Sequence, residues 1–407
     1  MPPAEPPRST DPSRPAEHYD HVFIGSGCAA LSLALRLTQS PTLKKQSILL
    51  IDPERKSAKD RTWCTWENQA SDLFSEIESQ SWEKMSFYSL SGQASHSSTR
   101  PYRYRMITSD HFYRYVISQL LKSEATQVQD EVVAIDLEQS RVTTASGKTY
   151  VAQKMIYNSS EKWSSVERPA RYEIWQHFHG IQIQARLNVF DPSRVHFMDF
   201  RTPQEQGVSF LYILPESPTT ALVEYTQFSK TIQTREFYLR KISEFLELKL
   251  KLGPSDYTVL SDESGKIPMS SAEFPLQRSE RFLNIGSAGG LTKSSTGYTF
   301  SRIQRDSDLI LRHLENPATP LRRVRTSPRF RFYDQLFLNL LETSPQRMES
   351  IFSTLFQRVP LPRILRFLDE QTHFSEELQI FLKLPWMPFL RALGRHLCGY
   401  FKPLSPR

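Results

Sequence analysis

Two glycines, an alanine and an aspartate near the N-terminus carry the first legible chemistry. Gly25-x-Gly27-x-x-Ala30 stands between the apolar run HVFI at 21–24 and LSLALRL, whose apolar side chains recur on one helical face. Asp52 lies 22 positions beyond Ala30, at the end of the β-rich run QSILLID. Gly25 permits a tight turn and Gly27 lets the backbone approach a pyrophosphate at a helix N-terminus. Ala30 allows close helix packing, and Asp52 offers acceptors to ribose hydroxyls. The spacing reads as a dinucleotide site, against the plainer alternative of a structural glycine turn. The three cysteines, Cys28, Cys64 and Cys398, form no CxxC pair and join no His cluster with metal-ligand spacing. No metal is expected, Cys28 and Cys64 read as packing residues, and a reducing cytoplasmic compartment fits best.

Strand, turn, helix and strand make a right-handed βαβ unit of about 30 residues. RMITSDHFYRYVISQLLKS predicts a helix capped by Ser109 or Asp110, with Phe112, Tyr115, Val116 and Leu120 on one side. Short strands follow in VVAIDL, RVTTA and KTYVAQKMIYN, the last returning to the parallel sheet. From 175 to 228 the pattern turns to period-two alternation in four runs, WQHFHGIQIQARL, RVHFMDF, VSFLYILPES and TALVEYTQFS, which argues a mostly antiparallel sheet. The helix TREFYLRKISEFLELKL comes next, and RFLNIGSAGG supplies a last strand of the cofactor domain. After Gly297 the chain reads as helical, through TFSRIQRDSDLILRHL and the segments 332–341, 346–356, 364–372 and 375–384.

The expected fold class is α/β: a Rossmann-type domain (19–165 and 276–315), an inserted antiparallel substrate sheet (166–275) and a helical C-terminal region (316–407). Residues 1–18, with six prolines and little apolar content, read as a disordered tail. The N-terminal place of the glycine motif and the inserted sheet favour FAD over NAD.

Hydrophobic residues at 39% support a sizeable core, and aromatics at 12% suit either that core or a site lined for something large and apolar. No stretch approaches the ~18 apolar residues of a spanning helix, and the opening MPPAEPPRSTDPSRPAE lacks the basic and apolar regions of a secretory signal. Lys and Arg outnumber Asp and Glu by 51 to 44. From 381 to 407 the chain carries Lys383, Arg391, Arg395, Lys402 and Arg407 with no acidic residue, interleaved with Trp386, Phe389, Leu390, Leu393, Tyr400 and Phe401. This composition suits a segment on an anionic bilayer and equally a terminal helix packed on the body with a solvated basic face. No nucleic-acid motif accompanies the charge. RPYRYR at 100–105 reads as a solvated edge or a contact with lipid head groups.

Six strings then identify a resemblance: DRTWCTWE (60–67), WQHFHG (175–180), FLYILPESPTTALVEYTQFS (210–229), ESGKIPM (263–269), NIGSAGGLTKSSTGYTF (284–300) and FLDEQTHFSEELQI (367–380). In this order the chain resembles the bacterial, flavobacterial-type lycopene β-cyclases along nearly its whole length. The resemblance implies a flavoprotein fold of the p-hydroxybenzoate hydroxylase type, with reduced FAD required and NAD(P)H as its reductant. It implies an isomerisation in which the ψ-end of lycopene is protonated, closes on itself and loses a proton, giving γ-carotene and then β-carotene. It also implies work at a membrane surface from the cytoplasmic side, alongside other carotenoid enzymes.

Such chemistry needs a carboxylic acid kept neutral by an apolar pocket. Glu224 matches the glutamate of the family's L-x-E-x-T motif and is the expected acid/base residue; a glutamate on the wet face of the same strand is the alternative. Glu263 in ESGKIP reads as a positioning or polarising carboxylate. Gly286, Gly289 and Gly290 of GSAGG match the loop that brings backbone N–H groups to the flavin ring. Ser287 stands where many flavin hydroxylases carry Asp, which weakens a hydroxylase reading. Trp63, Trp66, Tyr298 and Phe300 are expected to line a polyene tunnel or, alternatively, to pack the core. Thr65 replaces a usual aromatic and Thr220 a usual acid, departures expected to alter the pocket. The competing readings are another FAD-dependent isoprenoid reductase or hydroxylase, and a noncatalytic carotenoid-binding protein at the membrane.

Overall fold

The computed structural model describes residues 15–68 and 72–400. Its strands are β1 Glu17–Ile24, β2 Ile48–Asp52, β3 Thr62–Glu67, β4 Gln80–Trp82, β5 Lys84–Tyr88, β6 Ala94–Ser98, β7 Arg103–Thr108, β8 Thr126–Gln129 and β9 Val132–Asp136. They continue as β10 Arg141–Thr144, β11 Thr149–Asn158, β12 Glu173–Ala185, β13 Arg194–Asp199, β14 Val208–Pro215, β15 Thr220–Ser229, β16 Tyr257–Ser270, β17 Gln277–Ser279 and β18 Phe282–Asn284. The helices are α1 Cys28–Gln39, α2 Ser109–Leu120, α3 Arg235–Leu250, α4 Phe300–Glu315, α5 Pro328–Thr343, α6 Met348–Arg358, α7 Leu361–Leu368, α8 Phe374–Phe381 and α9 Trp386–Tyr400.

The first sheet runs β17-β18-β11-β1-β2-β8, with β9 and β10 paired off β11. β18, β11, β1, β2 and β8 are mutually parallel, so the βαβ reading of residues 21–52 stands. Residues 29–37 of α1 are all buried, as a helix apolar on every side requires. Its one charge, Arg36, is paired with Asp308 of α4 at 2.6 Å and also donates to Gln304. The sequence places a disordered tail at 1–18, but β1 starts at Glu17, in register with Tyr150; residues 1–14 lie outside the described part. The N-cap of α2 is Thr108, not Ser109 or Asp110. The Ser109 hydroxyl instead accepts the backbone N–H groups of Asp60 and Arg61, fixing the chain just before β3.

The second sheet runs β16-β12-β15-β14-β13-β5-β6. It holds the four alternating runs expected there and three strands beyond them. The fourteen-residue β16 forms one edge. β5 and β6, which fall inside the span 19–165 of the cofactor domain, form the other edge, with β5 parallel to β13. One face of this sheet packs on α3 through Ile181, Ile183, Leu211, Ile213, Val223 and Tyr225. The opposite face meets the small sheet β3-β7-β4 and the helices α5–α9.

Candidate active site

The dinucleotide turn has the backbone its residues call for. Gly25 sits at φ +90°, and a Cβ there would come within 2.5 Å of the Ser159 hydroxyl oxygen, so glycine is required. Gly27 caps α1, and a Cβ on it would meet no atom within 4 Å. The N-terminus of α1 is thus open to an incoming anion. Gly286, at φ +60°, faces Ala29 so closely that a Cβ would strike it at 2.7 Å. Ala30 is fully buried on the core side of α1, the close packing expected of it. Asp52 takes the backbone N–H of Ser26 at 2.7 Å and of Glu54 at 2.9 Å, so it pins the turn and keeps lone pairs for a further donor.

A cavity of about 1000 Å³ runs from Gly27, Cys28, Ala29 and Gly286 to the face of the second sheet turned away from α3. Gly289 and Gly290 do not line it. Their missing side chains make room for the Asn284 carbonyl and the Phe274 ring, so their role is in the loop's packing.

Alternation on the second sheet sets the cavity wall. Leu222, Glu224, Thr226 and Phe228 of β15 face the cavity, whereas Ala221, Val223 and Tyr225 face α3. Glu224 is 9% exposed, and its Oε1 accepts the Thr226 hydroxyl at 2.5 Å. Register places Tyr212 of β14 opposite Glu224 on one side and Gly180 of β12 on the other. Gly180 is in turn opposite Glu263 of β16. Directly paired residues share a face, so Tyr212, Glu224, Gly180 and Glu263 form one row across four strands. Glu263 Oε2 accepts the Thr62 hydroxyl at 2.7 Å. Burial, then the neighbouring Glu263 charge, pushes the Glu224 carboxyl up to about 8, so it holds its proton at neutral pH. Burial also raises Glu263, but the Thr62 hydrogen bond and the charges of Lys59 and Arg61 oppose that shift.

A knot of hydroxyls closes the row at its Tyr212 end. Tyr104 and Tyr212 share a short hydrogen bond, and Tyr298 lies 3.5 Å from the Tyr104 oxygen. Burial drives all three phenols far above their ordinary range, which keeps them neutral. The Cys64 thiol beside them is pushed up to about 12 by burial, as is Cys28, so neither is a nucleophile at neutral pH.

Trp63, Tyr298, Phe300 and Glu263 line the cavity as expected. Trp66 does not: it stands behind Tyr298, ring centroids 4.8 Å apart and edge-on, and donates its indole N–H to the Leu365 carbonyl. Thr65 and Thr220 also lie off the cavity wall, Thr65 buried behind Tyr298 and Phe300. The RPYRYR segment is only in part a solvated edge: Arg100, Pro101 and Arg103 are exposed, whereas Tyr102, Tyr104 and Arg105 are buried. Arg105 is buried between Glu67 and Glu78, and Tyr104 belongs to the site. Sequence reading missed Tyr104, Tyr212, Thr62 and Gly180. It also missed the roof built by Phe330 and Phe337 of α5, Phe352 of α6, Phe381 of α8 and Phe389 of α9. Folding the 208–229 hairpin about its Ser217–Thr219 turn would have set Tyr212 against Glu224.

The family described as lycopene cyclase protein matches residues 20–394. The chain belongs to the lycopene cyclase family. No curated protein matches it in sequence. Among solved structures, a flavoprotein/dehydrogenase from Cytophaga hutchinsonii is similar at TM-score 0.60 and 11% identity, covering 95% of this chain and 100% of that one. A geranylgeranyl bacteriochlorophyll reductase-like protein from Thermoplasma acidophilum gives 0.59 at 13% identity, with coverage of 93% and 99%. The p-nitrophenol 4-monooxygenase of Pseudomonas putida gives 0.57 at 13%, with coverage of 92% and 98%. These likenesses bear out the fold class: a parallel cofactor-type sheet, an inserted antiparallel sheet and C-terminal helices. In this member of the lycopene cyclase family, a buried Lys293 ties the loop after GSAGG to the helical region. Its Nζ lies 3.0 Å from Asp334 of α5 and from Glu370, which also pairs with Arg302. Among the described residues no group of three or more His, Cys, Asp or Glu is arranged to hold a metal ion.

Proposed function

We propose that this chain is a lycopene β-cyclase that converts the ψ-ends of lycopene to β-rings by way of γ-carotene, with β-carotene as the final product. The observation that carries the reading is Glu224: a carboxyl that keeps its proton at neutral pH, on the wall of an aromatic cavity continuous with the dinucleotide turn. The open N-terminus of α1 at Gly27 and the Gly286 loop suit FAD, whose pyrophosphate would lie on α1 with Asp52 toward the ribose. Reduced FAD, with NAD(P)H as reductant, would supply negative charge beside the cavity that favours a carbocation.

The protein's own residues do the rest. Glu224 delivers its proton to the terminal double bond, while the apolar walls exclude water that would quench the cation. The rings of Trp63, Tyr298 and Phe300 present π-faces to developing positive charge. The roof gives the polyene its way in. Phe374 and Trp386 line the cavity and are also exposed, beside Leu378, Met387 and Leu390 on α8 and α9 and Leu382 in the turn between them. With Lys383 and Arg391 among them, this rim suits an anionic bilayer holding the substrate, and peripheral attachment on the cytoplasmic side, alongside other carotenoid enzymes, follows from that reading. The other reading of the terminal segment has support too, since α9 packs its Ala392 and His396 on the body while Arg391 and Arg395 stay exposed beside Trp386, Met387, Leu390 and Leu397; residues 401–407 lie outside the described part. No described helix is long and apolar enough to cross a membrane.

The test is anaerobic turnover of lycopene in vesicles by the flavin-loaded protein. A cyclase yields products of unchanged mass with NAD(P)H used only to reduce the flavin. Consumption of one NAD(P)H per product would assign a reductase instead, and product formed only after air is admitted would assign a hydroxylase.

A further inference from the structure

The row Tyr212–Glu224–Gly180–Glu263 holds a second carboxylate for which proton donation is not needed. We propose that Glu263 is the base that removes the ring proton, and that Gly180 is the notch holding the reacting end between Glu263 and Glu224. The inference rests on the cyclase reading above and adds to it the fate of the second proton.

Glu224 and Glu263 sit on strands separated only by β12, so their Cα atoms are about 10 Å apart. Both side chains line the same cavity. The residue between them is the one position in the row without a side chain. A Cβ on Gly180 would meet Leu222 Cδ1 at 3.1 Å and Glu224 Cβ at 3.3 Å, filling the gap and pressing on the acid. The two carboxylates are also unlike in surroundings. Glu224 is buried beside the Glu263 charge with no cation nearby, which favours the acid form, and the Thr226 hydroxyl that donates to it only partly opposes this. Glu263 has the Thr62 hydroxyl at 2.7 Å and the charges of Lys59 and Arg61, which favour the carboxylate. Like charges in one pocket cannot both ionise cheaply, so one proton is held by the pair and rests on Glu224.

The chemistry uses one acid and one base close together. The terminal π-pair takes the Glu224 proton and leaves a tertiary cation. The near carbon of the neighbouring π-pair bonds to the cationic carbon and closes the ring, leaving the cation on the far carbon of that pair. The C–H bond at the newly joined carbon gives its electrons back as the ring double bond while Glu263 takes the proton. The carbon that gained a proton and the carbon that loses one are both bonded to the same ring carbon, so acid and base must flank one small volume. Net change is one proton lost from Glu224 and one gained by Glu263. Its return across the notch, directly or through water, resets the pair without any redox step.

The experiment compares wild type, Glu263→Gln, Glu263→Asp and Gly180→Ala, all flavin-loaded, by chromatography of the carotenoids formed. If wild type itself forms no rings, the cyclase reading fails and the base assignment with it. If wild type forms β-rings, Glu263→Gln should still consume lycopene but form β-rings at least tenfold more slowly. Its products should shift to isomers with the ring double bond elsewhere, or to alcohols from captured water. Glu263→Asp should restore the β-product. The acid limb of the pH–rate profile should vanish in the Gln variant and persist in the Asp variant. Gly180→Ala should lower turnover with bound flavin unchanged. Wild-type β-ring formation by Glu263→Gln would overturn the proposal. Complete loss of lycopene conversion in that variant would also overturn it, because Glu224 would still be present to protonate.

Discussion

Replacing Glu224 by Gln should make the protein more stable as it makes it inactive, and the size of the effect should depend on pH. The Glu224 carboxyl titrates at about 8 in the folded protein against an ordinary 4.5. Its folded value is raised, so its full contribution to stability is present below about 4.5 and is lost as pH rises through 8. Between those values the folded state holds a proton that the unfolded chain has released, and each pH unit costs about 1.36 kcal/mol. At pH 7 the wild type has lost roughly 3 kcal/mol relative to a residue that does not titrate. Gln keeps the oxygen that accepts the Thr226 hydroxyl and carries no charge, so it escapes this loss. With an unfolding entropy near 2.1 cal/mol/K per residue, a chain of this length converts ~3 kcal/mol into a Tm gain of roughly 4 °C. Scanning calorimetry at fixed scan rate from pH 5 to 8.5 measures the gap between variant and wild type. The gap should be small at pH 5 and widen steadily to pH 8. A gap that is constant across this range, or a variant less stable throughout, would refute the claim that burial holds Glu224 protonated.

Other outcomes follow from the same geometry. Gly27→Val places methyl groups where a pyrophosphate would lie, so the purified variant should keep its circular dichroism spectrum and lose its flavin absorbance; retained stoichiometric flavin would move the cofactor elsewhere. Lys293→Met strands the buried carboxylate of Asp334 and should lower stability by on the order of 3 kcal/mol, with Lys293→Met/Asp334→Asn recovering part of it; an unchanged Tm would show the pair to be dispensable. Leu382→Glu with Trp386→Glu should abolish sedimentation with anionic vesicles while flavin stays bound, and undiminished sedimentation would remove α8–α9 as the lipid-facing rim.

Much of this arrangement is legible in the chain because two periodicities are strong there. The helical repeat of LSLALRL, framed by glycines and by Asp52, specifies a βαβ unit with few alternatives. Period-two alternation through 210–229 likewise puts Glu224 among cavity-facing residues once one knows which face is dry. What escaped the sequence is set by partners distant along the chain. β5 and β6 are short, and β6, ASHSS, is polar apart from Ala94, so neither declares membership in a sheet whose other strands come a hundred residues later. Trp66 shares a face with Cys64 on β3, but Tyr298, from a loop over two hundred residues on, screens it from the cavity. The pairing of Gly180 with Glu224 and Glu263 depends on register among three strands, which no local pattern encodes. The helices α5–α8 were readable as helices, but that they and α9 roof the site follows from Phe330, Phe337, Phe352, Phe381 and Phe389 lining the cavity.

The most direct measurement expresses the wild-type chain and Glu224→Gln in bacteria that accumulate lycopene, with the pigments separated by chromatography and flavin content checked on the purified proteins. The account predicts β-carotene or γ-carotene from the wild type and unchanged lycopene from a folded, flavin-loaded Glu224→Gln. Cyclised product from the Gln variant at wild-type level, or unchanged lycopene from a flavin-loaded wild type, would contradict it.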